Sequence, residues 1–158
     1  MAPRIIYDLS TIDLNHFDHD IEEIRSVIPQ RFEFEQLTGV CKYLPEEKII
    51  VGIRQVQPDE FWVRGHIPGN PLLPGVLMLE SAAQLCSFYC GKYNGDTRFF
   101  GFAAIDGVKF RCTVVPGDRL VLIGSPLKMS ARRMVFYCQG VVREKLVFEA
   151  ELTGVSLS

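Results

Sequence analysis

Residues 65–84 read Gly-His-Ile-Pro-Gly-Asn-Pro-Leu-Leu-Pro-Gly-Val-Leu-Met-Leu-Glu-Ser-Ala-Ala-Gln. A histidine, His66, and an acid, Glu80, stand fourteen residues apart on either side of a loop with three prolines. Histidine titrates near neutrality and suits the removal of a weakly acidic proton. Glu80 is surrounded by Leu, Met and Ala and is the one charged residue on its helix before Lys92. A carboxylate is costly to bury, and burial raises a carboxyl pKa, so such an acid can stay neutral and donate. The nearby helix N-terminus pulls the other way. Gln84, four residues on, shares the face of Glu80 and is placed to orient it. The backbone N–H of Gly75 opens the helix without an intrahelical acceptor, and glycine permits close approach of a ligand. Base, acid and oxyanion donor are what removing water from a beta-hydroxyacyl thioester needs. That reaction is redox-neutral and calls for no metal and no cofactor. By composition and spacing alone the segment remains a candidate acid–base site. A lone histidine after a strand is more often an ordinary residue, a buried glutamate can be structural, and a proline loop can be a stiff connector.

The elements that must carry these groups are legible in outline. Pro74 sits where a helix should begin, and Gly75–Tyr93 reads as one helix closed by Asn94-Gly95. It is apolar nearly all round, so it must be buried on most sides. Asp20 with Glu23 three residues later marks the start of a short helix that Pro29 ends. Strand character recurs at 37–43, 48–56, 60–64, 98–108, 119–125, 134–142 and 146–157. Val115-Pro116-Gly117-Asp118 is a turn, with proline second and glycine third. Residues 1–19 read as an irregular N-terminal extension and 20–158 as one domain. The expected class is α+β, a strongly curved antiparallel sheet around one long central helix.

Composition bounds the partners. The chain of 158 residues is 47% hydrophobic and 23% charged, as in soluble globular domains. A formal net charge of −2 argues against nucleic acid as a partner. No apolar run approaches the ~20 residues of a membrane span. The N-terminus lacks the apolar stretch of a signal peptide. Five cysteines, an odd number with no C-x-x-C, read as free thiols in a reducing cytoplasm. His16, Asp18, His19 and Asp20 cluster near the N-terminus, but no third ligand set accompanies them, so they read as a solvated loop.

The 65–84 segment resembles the signature of hot-dog-fold beta-hydroxyacyl-acyl-carrier-protein dehydratases of fatty-acid synthesis, G-H-F-P-x-x-P-x-M-P-G-V-L-x-x-E-A-x-A-Q. Phe110-Arg111 through Val114-Val115-Pro116-Gly117-Asp118 is similar to the family's F-R-x-x-V-x-P-G-D. The resemblance covers roughly residues 20–157. It implies a hot-dog fold, with His66 and Glu80 as the catalytic pair. It implies that the Gly75 N–H polarises the substrate carbonyl and that Gln84 holds the acid. The implied partner is acyl carrier protein bearing a phosphopantetheine-linked hydroxyacyl chain. The implied assembly is a homodimer, or a trimer of dimers, with each site built across the dimer interface. The sequence also departs from the pattern. Ile67 replaces the usual phenylalanine, and Leu73 stands where methionine is common. The family's P-H-R-Y-P-F-L-L-V-D runs here from Pro29 to Thr38 with Glu35 and Gln36 at apolar positions. These changes bear on substrate more than on reaction. Isomerising relatives usually carry Asp where Glu80 stands, which favours plain dehydration.

An acidic carrier docking on a net-negative chain needs a local basic rim, for which Lys109, Arg111, Arg132 and Arg133 are the candidates. Two rivals remain. A hot-dog acyl-CoA thioesterase would share the fold but hydrolyse the thioester. A non-catalytic acyl-binding paralogue would have no need of His66 and Glu80.

Overall fold

The computed structural model describes residues 3–157. A short helix, α1 (Ile21–Val27), is followed by strands β1 (Gly39–Leu44) and β2 (Ile49–Gln55). The long helix α2 (Gly75–Tyr93) comes next, then β3 (Phe100–Phe110), β4 (Arg119–Met129), β5 (Arg133–Val142) and β6 (Lys145–Ser156). The strands form one antiparallel sheet in the order β1-β2-β4-β5-β6-β3. This is the α+β hot-dog arrangement that the sequence led us to expect. Both helices begin where their signals lie: the Asp20 side chain accepts from Glu23 N–H, and Pro74 caps α2 without a side-chain bond. Among the described residues, no helix is long and apolar enough to cross a membrane.

The sheet is covered on both faces, which explains why β2 is an almost unbroken apolar run. Toward α2, Ile50, Leu120, Leu122, Phe136 and Phe148 pack with Leu85 and Phe88 in the main core. On the opposite face Val51, Ile53, Val121, Ile123 and Val141 form a second cluster. Ile5, Tyr7, Leu9, Ile12, Leu14 and Phe17 pack onto that cluster. The N-terminal segment is therefore a strap, held at one end by Gln139, whose side chain accepts from Ile6 N–H and donates to the Arg4 carbonyl. At the other end His19 and Val40 exchange backbone hydrogen bonds. The Phe17 ring lies so close to Gly39 that a β-carbon there would meet it at 2.4 Å. Residues 3–19 are irregular, as expected, apart from one turn at Leu9–Thr11, and the alternation Ile5, Tyr7, Leu9 was the signal for their packing on the sheet. His19 is likewise not solvated, since its ring bonds the Tyr93 hydroxyl and packs on Phe88.

Two further expectations need correction. Residues 60–64 do not form a strand. The chain reverses there through Val63 N–H to Glu60 and His66 N–H to Trp62 hydrogen bonds. Their aromatic and β-branched composition serves packing instead: Trp62 drops into the core with 4% exposure. Strand β4 runs four residues past the expected end at Ser125, because Pro126 is accommodated by a register shift between Pro126 and Lys128. The turn at 115–118 is as expected, with Asp118 N–H bonded to the Val115 carbonyl and Gly117 at φ 95°.

Candidate active site

Glu80 and Gln84 lie one turn apart on α2, and Gln84 Nε2 donates to Glu80 Oε1 at 2.8 Å. The rest of the Gln84 amide is fully committed. Its Oε1 accepts Gln36 N–H at 3.0 Å, and Nε2 also donates to the Phe34 carbonyl at 2.7 Å. Only one orientation satisfies a donor and an acceptor from the same segment, so the amide must present N–H to Glu80. Glu80 itself looks into an apolar slot of about 140 Å³ between α2 and the sheet, lined among others by Phe100, Phe102, Met134 and Phe136. Burial pushes its carboxyl above the usual carboxylate range, and the Gln84 hydrogen bond opposes part of that rise. Desolvation therefore wins over stabilisation of the anion.

His66 is exposed at the end of the 61–65 turn. Its Nδ1 lies 2.6 Å from the Leu72 carbonyl. A carbonyl only accepts, so Nδ1 carries a proton and Nε2 is the ring nitrogen left to act on a substrate. The loop is clamped further on by Leu73 N–H to the Val114 carbonyl at 2.7 Å. It also holds Ile67 at φ 65°, a conformation that a β-branched residue resists.

Gly75 opens α2, and no side chain caps the helix there. A β-carbon on Gly75 would lie 2.7 Å from the Phe110 ring. Glycine is thus demanded there by packing.

Within one chain these groups are held by different partners. His66 is anchored on Leu72, whereas Glu80 is held by Gln84 on α2, the helix that Gly75 opens. No hydrogen bond joins His66 to Glu80 among the described residues, and His66 does not line the Glu80 slot. The four candidate docking cations are also divided. Lys109 and Arg111 lie 3.8 and 3.0 Å from the Glu149 carboxylate. Arg133 pairs across the sheet with Val155, six positions along β6 from Glu149. At about 3.3 Å per residue that separates the two pairs by roughly 20 Å.

Sequence reasoning missed two features. One is a second cavity of about 570 Å³ that adjoins the Glu80 slot through Gln30, Ser87, Phe99 and Phe100 and carries Arg25, Arg31 and Arg98. Arg25 pairs with Glu22 and Glu35, and Arg98 with Asp96, whereas Arg31 hydrogen-bonds main-chain carbonyls. The other is Arg54, 3% exposed in the middle of the apolar β2 run, where a lone charge was itself the signal. Gln36, seen in the sequence only as a departure from an apolar position, accepts from Arg54 Nη2 at 2.7 Å. Among the described residues, no group of three or more His, Cys, Asp or Glu side chains is placed to hold a metal ion.

The family model of the FabA-like domain matches residues 28–151. The chain belongs to that family. This FabA-like chain is 38% identical over 136 residues to the 3-hydroxyacyl-[acyl-carrier-protein] dehydratase FabZ of Enterococcus faecalis, covering 84% of this chain and 94% of that protein. It is 35% identical over 136 residues to the FabZ of Geobacter metallireducens, covering 84% and 90%. Among solved structures, the dehydratase heterocomplex ApeI:P from Xenorhabdus doucetiae superposes with a TM-score of 0.73 at 13% identity, covering 85% of this chain and 91% of that one. Cj0977 from Campylobacter jejuni gives 0.66 at 17% identity, covering 88% and 91%. At such identities the structural likeness speaks for the shared hot-dog fold.

Proposed function

We propose that this chain dehydrates a 3-hydroxyacyl thioester carried on acyl carrier protein, as a step of fatty-acid biosynthesis. The observation that carries the reading is Glu80, desolvated at the mouth of an apolar slot and offered a single hydrogen bond by an amide that cannot turn. The relatives' dehydratase names point the same way. His66 Nε2 takes a proton from the carbon next to the thioester carbonyl. The electron pair moves toward the carbonyl oxygen, where the Gly75 N–H meets the growing negative charge. The carbon–oxygen bond at the 3-position then breaks, and Glu80 protonates the departing hydroxide to water. His66 ends protonated and Glu80 ionised, and proton return resets the pair.

His66 and Glu80 share no hydrogen bond within one chain among the described residues, which supports a reading in which a second copy completes the site. Strand β3 is an edge strand eleven residues long, with Phe102 48% and Ile105 40% exposed. Such an edge invites pairing. Antiparallel pairing of two β3 strands about their middle would set Lys109 and Phe110 of one copy beside Phe100–Phe102 of the other. Phe110 packs on Gly75, and residues 100–102 line the Glu80 slot. The same operation would bring the His66 loop of one copy toward Glu80 of the other and Lys109 and Arg111 toward Arg132 and Arg133. A dimer thus supplies both the shared site and a joined basic rim for the acidic carrier. Cys41, Cys86, Cys90 and Cys138, all buried free thiols, fit work in the reducing cytoplasm.

Incubation with 3-hydroxyacyl-acyl carrier protein should give the trans-2-enoyl thioester. Free acid as the main product would instead mean a thioesterase. Docking is tested separately. Neither Arg132 nor Arg133 has a carboxylate partner among the described residues. Reversing both to Glu should lower kcat/KM for the carrier-linked substrate about tenfold or more. Turnover of a small pantetheine thioester should be spared. Equal losses on both substrates would place the damage in the site and refute the docking role.

A further inference from the structure

A buried polar path runs from Glu80 to the loop that carries His66. Gln84 Nε2 meets Glu80, and Gln84 Oε1 takes the Gln36 N–H. The Gln36 side-chain oxygen accepts from Arg54 Nε at 3.1 Å and Nη2 at 2.7 Å. Arg54 then grips Glu60 in a fork, Nη1 to Oε1 at 2.9 Å and Nη2 to Oε2 at 2.7 Å. Its Nε also reaches Ser81 Oγ at 3.1 Å, on the residue after Glu80. Glu60 accepts in addition from Trp62 Nε1 at 2.7 Å and from Gln57 N–H at 2.8 Å. Finally, the Trp62 carbonyl accepts both Gly65 N–H and His66 N–H, at 3.2 and 2.7 Å.

Packing alone does not explain such an arrangement. A buried ion pair is often no more stabilising than apolar residues of the same volume. What the fork adds is direction. Arg54 holds Gln36 in place, and Gln36 N–H, with the Phe34 carbonyl, determines which side of the Gln84 amide faces Glu80. Glu60 pins the Trp62 ring, and the Trp62 carbonyl anchors the amides of Gly65 and His66. No apolar pair could perform either task.

We infer that the Arg54–Glu60 ion pair, acting through Gln36 and Trp62, is the positioning element that sets both the Glu80 carboxyl and the His66 loop for the reaction. This inference rests on the assignment of His66 and Glu80 made above. In a shared-site dimer each pair serves two sites, one through Glu80 and the other through His66.

The test uses the full-length protein and a 3-hydroxyacyl-acyl carrier protein substrate. The double variant Arg54→Leu with Glu60→Leu removes both charges together, so no ion is left buried alone. It leaves the Gln36 oxygen and the Trp62 indole N–H without those partners, so it should melt below the native temperature yet remain folded at the assay temperature. Its kcat should nevertheless fall about 10²-fold, since small misplacements of reacting groups have effects of that size, while KM changes little. Trp62→Phe keeps an aromatic ring at the site but deletes the donor to Glu60 together with part of the buried indole. It should remain folded, with a melting temperature lowered by the small cavity, and lower kcat in the same direction. Amide hydrogen exchange at Gly65 and His66 should accelerate in both variants. A folded double variant with near-native kcat would show the pair to be structural only and overturn the inference. Native exchange and native kcat in Trp62→Phe would overturn it as well, and that variant decides the matter if the double variant does not fold. His66→Ala in the same assay tests the underlying assignment. Undiminished turnover there would overturn the role of His66, whereas the exchange rates judge the relay without reference to turnover.

Discussion

Glu80→Gln protein should fold as the parent does and lose turnover by about 10²–10⁴-fold, the usual contribution of a general acid. The amide has the shape of the acid, and its oxygen can still accept from Gln84 Nε2, so the slot should be undisturbed. What it lacks is a proton to give to departing hydroxide. His66→Ala should fall by a similar factor, because it removes the imidazole that the Leu72 carbonyl anchors. A pH series separates these losses from misfolding. Burial raises the Glu80 pKa in the folded chain above its unfolded value. The neutral acid is thus favoured by folding. Its stabilising contribution is complete below the unfolded pKa and disappears as pH rises through the higher folded one. The Gln variant has no ionisation there. Its melting temperature should therefore match or exceed that of the parent at neutral pH, with the gap widening from the unfolded carboxyl pKa upward. Retained turnover in Glu80→Gln would remove Glu80 from the mechanism, and a parent that does not lose ground as pH rises would refute its desolvation.

Mixing the two inactive variants should restore activity. If one copy gives His66 and the other Glu80, a mixed dimer of His66→Ala and Glu80→Gln chains has one site with both lesions and one with neither. Random exchange makes half of the dimers mixed, so turnover should return to roughly a quarter of the native value. The physical motive is that His66 is anchored on the Leu72 carbonyl and does not line the slot that Glu80 faces with Phe100 and Phe102. Exchange should be followed independently, with differently tagged chains. Proven exchange without recovered turnover would refute the shared site and leave the His66 and Glu80 chemistry to be explained within one chain.

How far the site was legible follows from the range of the interactions involved. Helix α2, the four-residue relation of Glu80 to Gln84 and the Pro116-Gly117 turn are all local, and each was readable from spacing and turn chemistry. The family motif added the pairing of His66 with Glu80, which spacing alone left open. The sequence by itself thus determined the fold class, the central helix and the residues that can exchange protons. Only the tertiary structure decided how they are held. Gln84 is oriented by Gln36 and Phe34, about fifty residues away in the chain, and Arg54 meets Ser81 across 27 residues. Residues 60–64 have strand-like composition, yet the pull of Glu60 toward Arg54 and of Trp62 into the core makes them a turn. The N-terminal strap and the separation of Lys109 and Arg111 from Arg132 and Arg133 likewise depend on which strands become neighbours. Strand order is settled by burial over the whole chain, so no local pattern of residues encodes it.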